Sequence, residues 1–152
     1  MDSTEGLTID FTHPGTKVLL GAGSGMAPLR AIIHSLLADG TSAPVYFFYG
    51  ARTEEDLLYF DEFTGLQKQQ ENFRYYPVLS QPSESWLGQA GYAQDAMFKM
   101  RSKIDAFGQA QLYLCGPQNM MQQTIHRLRT AGVNTNHIFW DTFGQPIATE
   151  RD

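Results

Sequence analysis

Glycine is concentrated in one short segment, residues 21–28, where the sequence reads GAGSGMAP. Glycine lets the chain turn tightly and lets a ligand approach the backbone, and Pro28 suits the first turn of a helix, where its missing N–H loses no partner. The free amides at such a helix N-terminus bind anions. The segment therefore predicts a turn between a strand and a helix that can hold a pyrophosphate.

This segment differs from two familiar phosphate-binding loops. The loop of nucleoside triphosphatases needs Gly-Lys-Ser/Thr at the helix start, whereas here Gly25 is followed by Met26. The ordinary dinucleotide fingerprint has a third glycine where this chain has Pro28. The pattern indicates a variant dinucleotide loop, and a purely structural glycine turn is the alternative interpretation.

A second turn of the same kind begins at residue 115, where the sequence reads Cys-Gly-Pro-Gln. A glycine and a proline next to each other favour an unusual turn between a strand and a helix. In an open parallel sheet, ligands bind beyond the carboxyl ends of the strands, at the point where the winding reverses. We therefore expect both turns to face one crevice.

Five short apolar runs predict the strands that position these turns. They cover residues 17–20, 44–49, 73–78, 110–115 and 137–140. Helical patterns lie between them, at 28–38, at 54–70, within 92–107 and at 118–131. This alternation predicts an α/β fold, a doubly wound five-stranded parallel sheet of order 3-2-1-4-5 with helices on both faces.

Composition excludes several classes of function. A formal net charge of −5 without a Lys/Arg run argues against nucleic acid. One cysteine forms no internal disulfide, and four scattered histidines have no metal-ligand spacing. No apolar run reaches the roughly 20 residues that span a bilayer. We expect one cytoplasmic domain without a structural metal.

Several motifs in this order resemble the pyridine-nucleotide domain of the ferredoxin-NADP reductase family. They are GSGMAP at 23–28, YGAR at 49–52, LS at 79–80, WLGQAG at 86–91, CGP at 115–117 and DTFG at 141–144. Shorter strings, GMAP at 25–28, EFTGL at 62–66, ENF at 71–73 and PQNMM at 117–121, look most similar to the F subunit of sodium-pumping NADH:quinone reductase. Reductases of multicomponent oxygenases are similar too. The resemblance implies a nucleotide-binding domain at 17–144, a tail or remnant of a flavin domain at 1–16 and a tail at 145–152.

The resemblance also implies which residues carry the function. The residues expected to bind the nucleotide are Gly23, Ser24, Gly25, Met26, Pro28, Arg52, Glu54, Ser80, Gly116 and Pro117. Cys115 would lie beside the nicotinamide, and Phe143 would shield the flavin ring. Hydride transfer needs positioning rather than a protein nucleophile, so we interpret Cys115 as a packing group and not as a reactive thiolate. Inert core for Cys115 and simple core closure for Phe143 are the alternatives.

The end of the second predicted strand carries conflicting charges. Arg52 could pair with the 2′-phosphate of NADPH, whereas Glu54 and Glu55 would repel that phosphate and could bond a free ribose hydroxyl. Carboxylates in a first helical turn also stabilise the helix dipole, which is the alternative role for the pair. The resemblance favours NADH.

The function implied is transfer of hydride from NADH to FAD, and of electrons onward to an iron–sulphur centre and quinone. Nothing before Lys17 resembles the family's Arg-x-Tyr-Ser/Thr flavin motif, so we expect FAD on an adjoining domain and no turnover by this chain alone. The 2Fe-2S centre would lie in the full-length protein or a partner. Expected partners are FAD-binding and ferredoxin-like domains, and the resemblance extends this to a membrane respiratory complex on the cytoplasmic side of a bacterial inner membrane. The alternatives are an oxygenase reductase and a nucleotide-binding module without catalysis.

Overall fold

A computed structural model of the chain describes residues 13–142, which build one parallel sheet flanked by helices. The strands are β1 (Lys17–Ala22), β2 (Val45–Ala51), β3 (Phe73–Leu79), β4 (Gln89–Ala90), β5 (Gln111–Gly116) and β6 (Ile138–Thr142). The α-helices are α1 (Ala27–Ala38), α2 (Phe60–Gln69), α3 (Ala93–Met100) and α4 (Gln118–Thr130). Short 3-10 turns cover Gly23–Met26, Glu54–Asp56, Arg101–Lys103, Phe107–Gln109 and Thr135–His137.

The strands lie in the order β4-β3-β2-β1-β5-β6, and every neighbouring pair is parallel. The predicted order of five strands is confirmed, because the fourth and fifth predicted strands are β5 and β6. The predicted number is wrong by one. The sixth strand, β4, adds only the pairs Val78–Gln89 and Leu79–Ala90 at the edge of the sheet, and two exposed residues leave no apolar pattern to detect.

Helices cover both faces of the sheet, which explains the continuous apolar runs of its central strands. Alternate side chains of β1 point to opposite faces, so that Leu20 packs with α3 and α4 whereas Leu19 packs with α1 and α2. The apolar stripe of α4, Met121, Ile125 and Leu128, is fully buried. This confirms its predicted place in the core.

The helix predicted over residues 54–70 is interrupted, so that prediction is wrong in its first third. Thr53 and Asp56 form a reciprocal capping box around one 3-10 turn, and the chain leaves helical geometry at Leu57, whose side chain enters the core. Tyr59 then takes a left-handed conformation with φ of 57°, and α2 begins at Phe60. The interruption places Leu58 beside the carboxyl ends of the strands.

Candidate functional site

A cleft of about 770 Å³ opens at the carboxyl edge of the sheet. Its walls come from the ends of β1 and β2, the residues after β3, the N-terminus of α3 and the inner face of α4. α1 leads from β1 to β2 on one face, whereas α3 precedes β5 on the other, so the cleft lies where the winding reverses. This is the place at which α/β sheets bind ligands.

Five of the predicted site residues line this cleft. Gly23 and Ser24 come from the turn after β1, Arg52 from the segment after β2, Ser80 from the residue after β3, and Pro117 from the start of α4. The structure therefore brings residues that are 94 positions apart in the chain, from 23 to 117, into one cavity. Parallel strands produce this convergence because all their carboxyl ends meet at one edge.

Four other predicted residues lie behind the cleft wall. Met26 is fully buried and Cys115 is 2% exposed, so both belong to the packed layer beneath the turn. Pro28 occupies the first turn of α1. Gly116 is buried under α4, where an added Cβ would lie 3.2 Å from Met120 Sδ and from Met121 Cε.

Glu54 faces away from the predicted role, because its carboxylate accepts hydrogen bonds from the Ser83 hydroxyl at 2.5 Å and from the Ser83 amide at 3.2 Å. These bonds hold the pKa of Glu54 below its ordinary value. The next two carboxylates, Glu55 and Asp56, line the cleft instead. Phe143 lies outside the described residues.

The turn after β1 owes its shape to particular backbone requirements. Gly23 has φ of 70°, a left-handed conformation that side chains with a Cβ rarely adopt. Gly21, at the end of β1, has a different constraint, since an added Cβ would meet Leu29 Cδ1 at 2.8 Å. The first glycine shapes the turn and the second lets α1 pack closely on the strand.

Two buried side chains from neighbouring strands reach this turn. The Tyr49 hydroxyl, at the end of β2, donates to the Gly23 carbonyl at 2.9 Å. The Cys115 thiol, at the end of β5, donates at 2.8 Å to the carbonyl of Gly25, a predicted site residue that does not itself line the cleft. Burial raises the pKa of Cys115 to about 12, so the sulphur stays a neutral thiol at ordinary pH. Tyr49 was missing from the predicted site, although a tyrosine within a buried strand requires a partner for its hydroxyl.

The opposite wall carries an ion pair that sequence reasoning also missed. Arg127 of α4 bonds Asp95 of α3 at 2.7 Å, and its guanidinium lies 4.0 Å from the centre of the Phe98 ring. Both charged residues line the cleft. The signal was available in the spacing of Met120, Gln123 and Arg127, which are three and four residues apart and so follow one face of α4.

The described part of the chain shows no sign of a metal site or a membrane span. Between residues 13 and 142, no group of three or more His, Cys, Asp or Glu side chains is placed to hold a metal ion. None of the helices described there is both long enough and apolar enough to cross a bilayer.

Comparison with known proteins identifies relatives of this arrangement. The model of the oxidoreductase NAD-binding domain family matches residues 19–126. The F subunit of the Na⁺-translocating NADH-quinone reductase of Idiomarina loihiensis is 34% identical over 131 residues, which cover 84% of this chain and 32% of that protein. The reductase component of propane 2-monooxygenase of Mycolicibacterium goodii is 32% identical over 142 residues, 92% of this chain and 41% of that protein. The chain thus spans well under half the length of these relatives.

Solved structures show the same fold. A cytochrome P450 reductase from Amycolatopsis matches with a TM-score of 0.75 and 27% identity, over 87% of this chain and 39% of the other. The flavohaem-like FAD/NAD-binding domain of nitric oxide dioxygenase from Vibrio cholerae matches with a TM-score of 0.72 and 25% identity, over 90% of this chain and 53% of the other. These matches confirm the resemblance that the motifs indicated.

Proposed function

Because this chain belongs to the oxidoreductase NAD-binding domain family, we propose that its cleft binds NADH and presents the nicotinamide to a flavin on an adjoining domain. The observation that carries the proposal is the convergence of the Gly23 turn and the Pro117 turn on one cleft at the switch point of the sheet. Binding at such a point uses backbone amides and helix N-termini, which suit a pyrophosphate.

Each part of the nucleotide has a matching wall in this proposal. The pyrophosphate lies against Gly23 and Ser24, where the chain enters α1. The adenosine ribose lies at the end of β2, near Arg52 and Glu55. The nicotinamide lies towards the end of β5, where Cys115 and Gly116 form the floor behind Pro117.

The charges at the end of β2 favour NADH over NADPH in this proposal. Glu55 and Asp56 both line the cleft beside Arg52. A 2′-phosphate bound there would meet two carboxylates as well as one guanidinium, whereas a ribose hydroxyl can donate to a carboxylate. Glu55 therefore takes the role that the sequence assigned jointly to Glu54 and Glu55.

The chain contributes positioning and exclusion of water to the reaction rather than a reacting group. Cys115 is 2% exposed and its pKa is raised to about 12 by burial, which leaves a neutral thiol without nucleophilic character. FAD, held elsewhere in the full-length protein, supplies the chemistry that accepts a hydride. Holding the donor in one orientation is the remaining task, and it belongs to the cleft.

The onward route in the whole protein follows from the relatives. The Idiomarina loihiensis relative is named as part of a Na⁺-translocating NADH-quinone reductase, and we propose the same route here, from FAD to a 2Fe-2S centre and quinone, in a complex on the cytoplasmic side of a bacterial inner membrane. In this proposal residues 17–144 form the nucleotide domain. FAD-binding and ferredoxin-like domains are its immediate partners.

A second candidate is the reductase component of an oxygenase. It is favoured by the propane 2-monooxygenase reductases, which match 92% and 91% of this chain. An N-terminal membrane helix encoded by the full gene would favour the quinone reductase, and its absence would favour the oxygenase. A freestanding nucleotide-binding module is the non-catalytic rival, and it would be favoured if adding an FAD domain gave no flavin reduction.

Calorimetric titration of the chain with NADH, NADPH and ADP-ribose tests the binding proposal directly. We expect NADH and ADP-ribose to bind and NADPH to bind much more weakly. Gly23→Asp should abolish binding, because it strains the turn and places a carboxylate where the pyrophosphate lies. Gly40→Asp is the matched control, since Gly40 also has a positive φ, 82°, with nothing within 4 Å of an added Cβ, but it lies outside the cleft. No binding of any of the three ligands by the unmodified chain would refute the proposal.

A further inference from the structure

We infer that Tyr49 and Cys115 are positioning residues that fix the Gly23–Gly25 turn from the two strands flanking β1. Its consequence for nucleotide affinity rests on the proposed function, whereas its consequence for the mobility of the turn does not. Neither residue lines the cleft. They act on the turn from behind, through its carbonyl groups.

The first anchor is the Tyr49 side chain. Tyr49 is fully buried and its ring stacks on Phe47, with centroids 5.7 Å apart and planes 8° from parallel. The hydroxyl points towards Gly23, whose carbonyl accepts its hydrogen at 2.9 Å. The same oxygen accepts the Leu58 amide at 3.4 Å. One phenol thus ties the glycine turn to the segment after β2, and both Gly23 and Leu58 line the cleft.

The second anchor comes from the other side of β1. β1 lies between β2 and β5, in register Gly21–Tyr49 on one side and Gly21–Cys115 on the other. The two anchors therefore flank the same residue at the end of β1. The Cys115 thiol donates to the Gly25 carbonyl at 2.8 Å, two residues further along the turn than the carbonyl that Tyr49 holds.

Holding a carbonyl also fixes the amide on the opposite side of its peptide plane. A trans peptide directs C=O and N–H in opposite directions, so the bond to the Gly23 carbonyl orients the Ser24 N–H away from Tyr49. Ser24 lines the cleft. The bond to the Gly25 carbonyl fixes the following peptide in the same way, at the point where α1 begins. The turn is thereby set before a ligand arrives, which lowers the entropy lost on binding.

Both donors keep their hydrogens across the ordinary pH range. Burial raises the pKa of Tyr49 above its usual value, and burial raises the pKa of Cys115 to about 12. Neither group therefore ionises and turns from a donor into a charge beside a carbonyl. The two anchors work as permanent hydrogen bonds rather than as a pH-sensitive device.

The test combines nitrogen-15 relaxation of the nucleotide-free chain with ADP-ribose titration, in Tyr49→Phe, Cys115→Ala and the double variant. We expect order parameters at Gly23, Ser24 and Gly25 to fall from the rigid value of about 0.85 towards about 0.6 in the double variant. Each single variant should weaken ADP-ribose binding about three- to tenfold, the usual effect of one hydrogen bond. Cys115→Ser keeps a donor and should restore both the rigidity and the affinity.

Tyr46→Phe is the matched control. Tyr46 lies on the same strand, faces the opposite side of the sheet, and accepts the Asp105 amide at 3.3 Å. It should leave the turn and the affinity unchanged. Unchanged order parameters in both Tyr49→Phe and Cys115→Ala, or an equal change in Tyr46→Phe, would overturn the inference. If the unmodified chain fails to bind ADP-ribose, the proposed function falls, and the relaxation data still decide whether the anchors exist.

Discussion

The Glu54 carboxylate accepts two hydrogen bonds from Ser83, one from the hydroxyl at 2.5 Å and one from the amide at 3.2 Å. The pair joins the 3-10 turn after β2 to the loop after β3, across 29 residues of chain. A carboxylate engaged in this way holds a loop in place and has fewer lone pairs left for a ligand. Two adjacent glutamates of the same type therefore have different surroundings, because Glu55 lines the cleft.

Neutralising Glu55 should change the choice between NADH and NADPH. Glu55→Gln removes a negative charge from the cleft wall beside Arg52, so NADPH binding should improve about three- to tenfold relative to NADH, as expected for one screened charge near a phosphate. Glu54→Gln is the control, since that side chain bonds Ser83. Calorimetric dissociation constants for both nucleotides give the ratio. A larger change in Glu54→Gln than in Glu55→Gln would contradict the assignment.

How far the sequence predicts this molecule depends on the range of the interactions. The strand order followed from buried apolar runs, each ended by loop-like sequence, because parallel strands covered on both faces leave that pattern. β4 left no such pattern, since Gln89 and Ala90 are both exposed. The break at Leu57 was missed because a short capping box and a buried leucine override the helical periodicity of the residues around them.

The site was predictable where backbone chemistry makes it and unpredictable where distant side chains make it. The turns at Gly23 and Pro117 are recognisable from residue type, and both line the cleft. The partner of Glu54 lies 29 residues away and that of Tyr49 lies 26 residues away. No local pattern relates such residues, so only the folded chain reveals which glutamate faces the ligand.

Two glycines should respond oppositely to replacement by alanine. Gly65 lies inside α2, with nothing within 4 Å of an added Cβ, so Gly65→Ala should stabilise the fold by about 0.5–1 kcal/mol through helix propensity. Gly50 lies at the end of β2, where an added Cβ would be 3.1 Å from the Cβ of Ala93, the buried first residue of α3. Alanine cannot rotate away, so Gly50→Ala should cost about 1–3 kcal/mol. Urea unfolding monitored by circular dichroism measures both, and equal signs would contradict the predicted packing.

The ion pair between α1 and α2 should make stability depend on pH. Arg30 donates from Nε and from Nη2 to the two carboxylate oxygens of Glu62, each at 2.7 Å, and this holds the Glu62 pKa at about 2, below its ordinary value of 4.5. A carboxyl with a depressed folded-state pKa stabilises the fold above its unfolded pKa, and that contribution disappears as the pH falls through the folded value. Glu62→Gln should therefore lower the free energy of unfolding by about 0.5–1 kcal/mol at pH 7, the range of a well-formed surface pair.

The difference between Glu62→Gln and the unmodified chain should shrink as the pH falls from about 4.5 towards about 2. Urea unfolding at a series of pH values measures it. Glu84→Gln, at an exposed position in the loop after β3, is the control and should change stability little at any pH. A difference that stays constant down to the acid end of the series would show that Glu62 acts through packing rather than charge.

Cys115 should resist thiol reagents as long as the chain is folded. It is the single cysteine of the sequence, so labelling reports on one site. It is 2% exposed, and with a pKa of about 12 only about one molecule in ten thousand carries a thiolate at pH 8. Labelling with a disulfide reagent should therefore follow the rate of unfolding, and it should be complete at once in denaturant. The control is Ser24→Cys in a Cys115→Ala background, which places a thiol at an exposed cleft position; it should react quickly and be protected by NADH. Rapid labelling of native Cys115 would mean that the thiol is accessible, and its interpretation as a buried donor would be wrong.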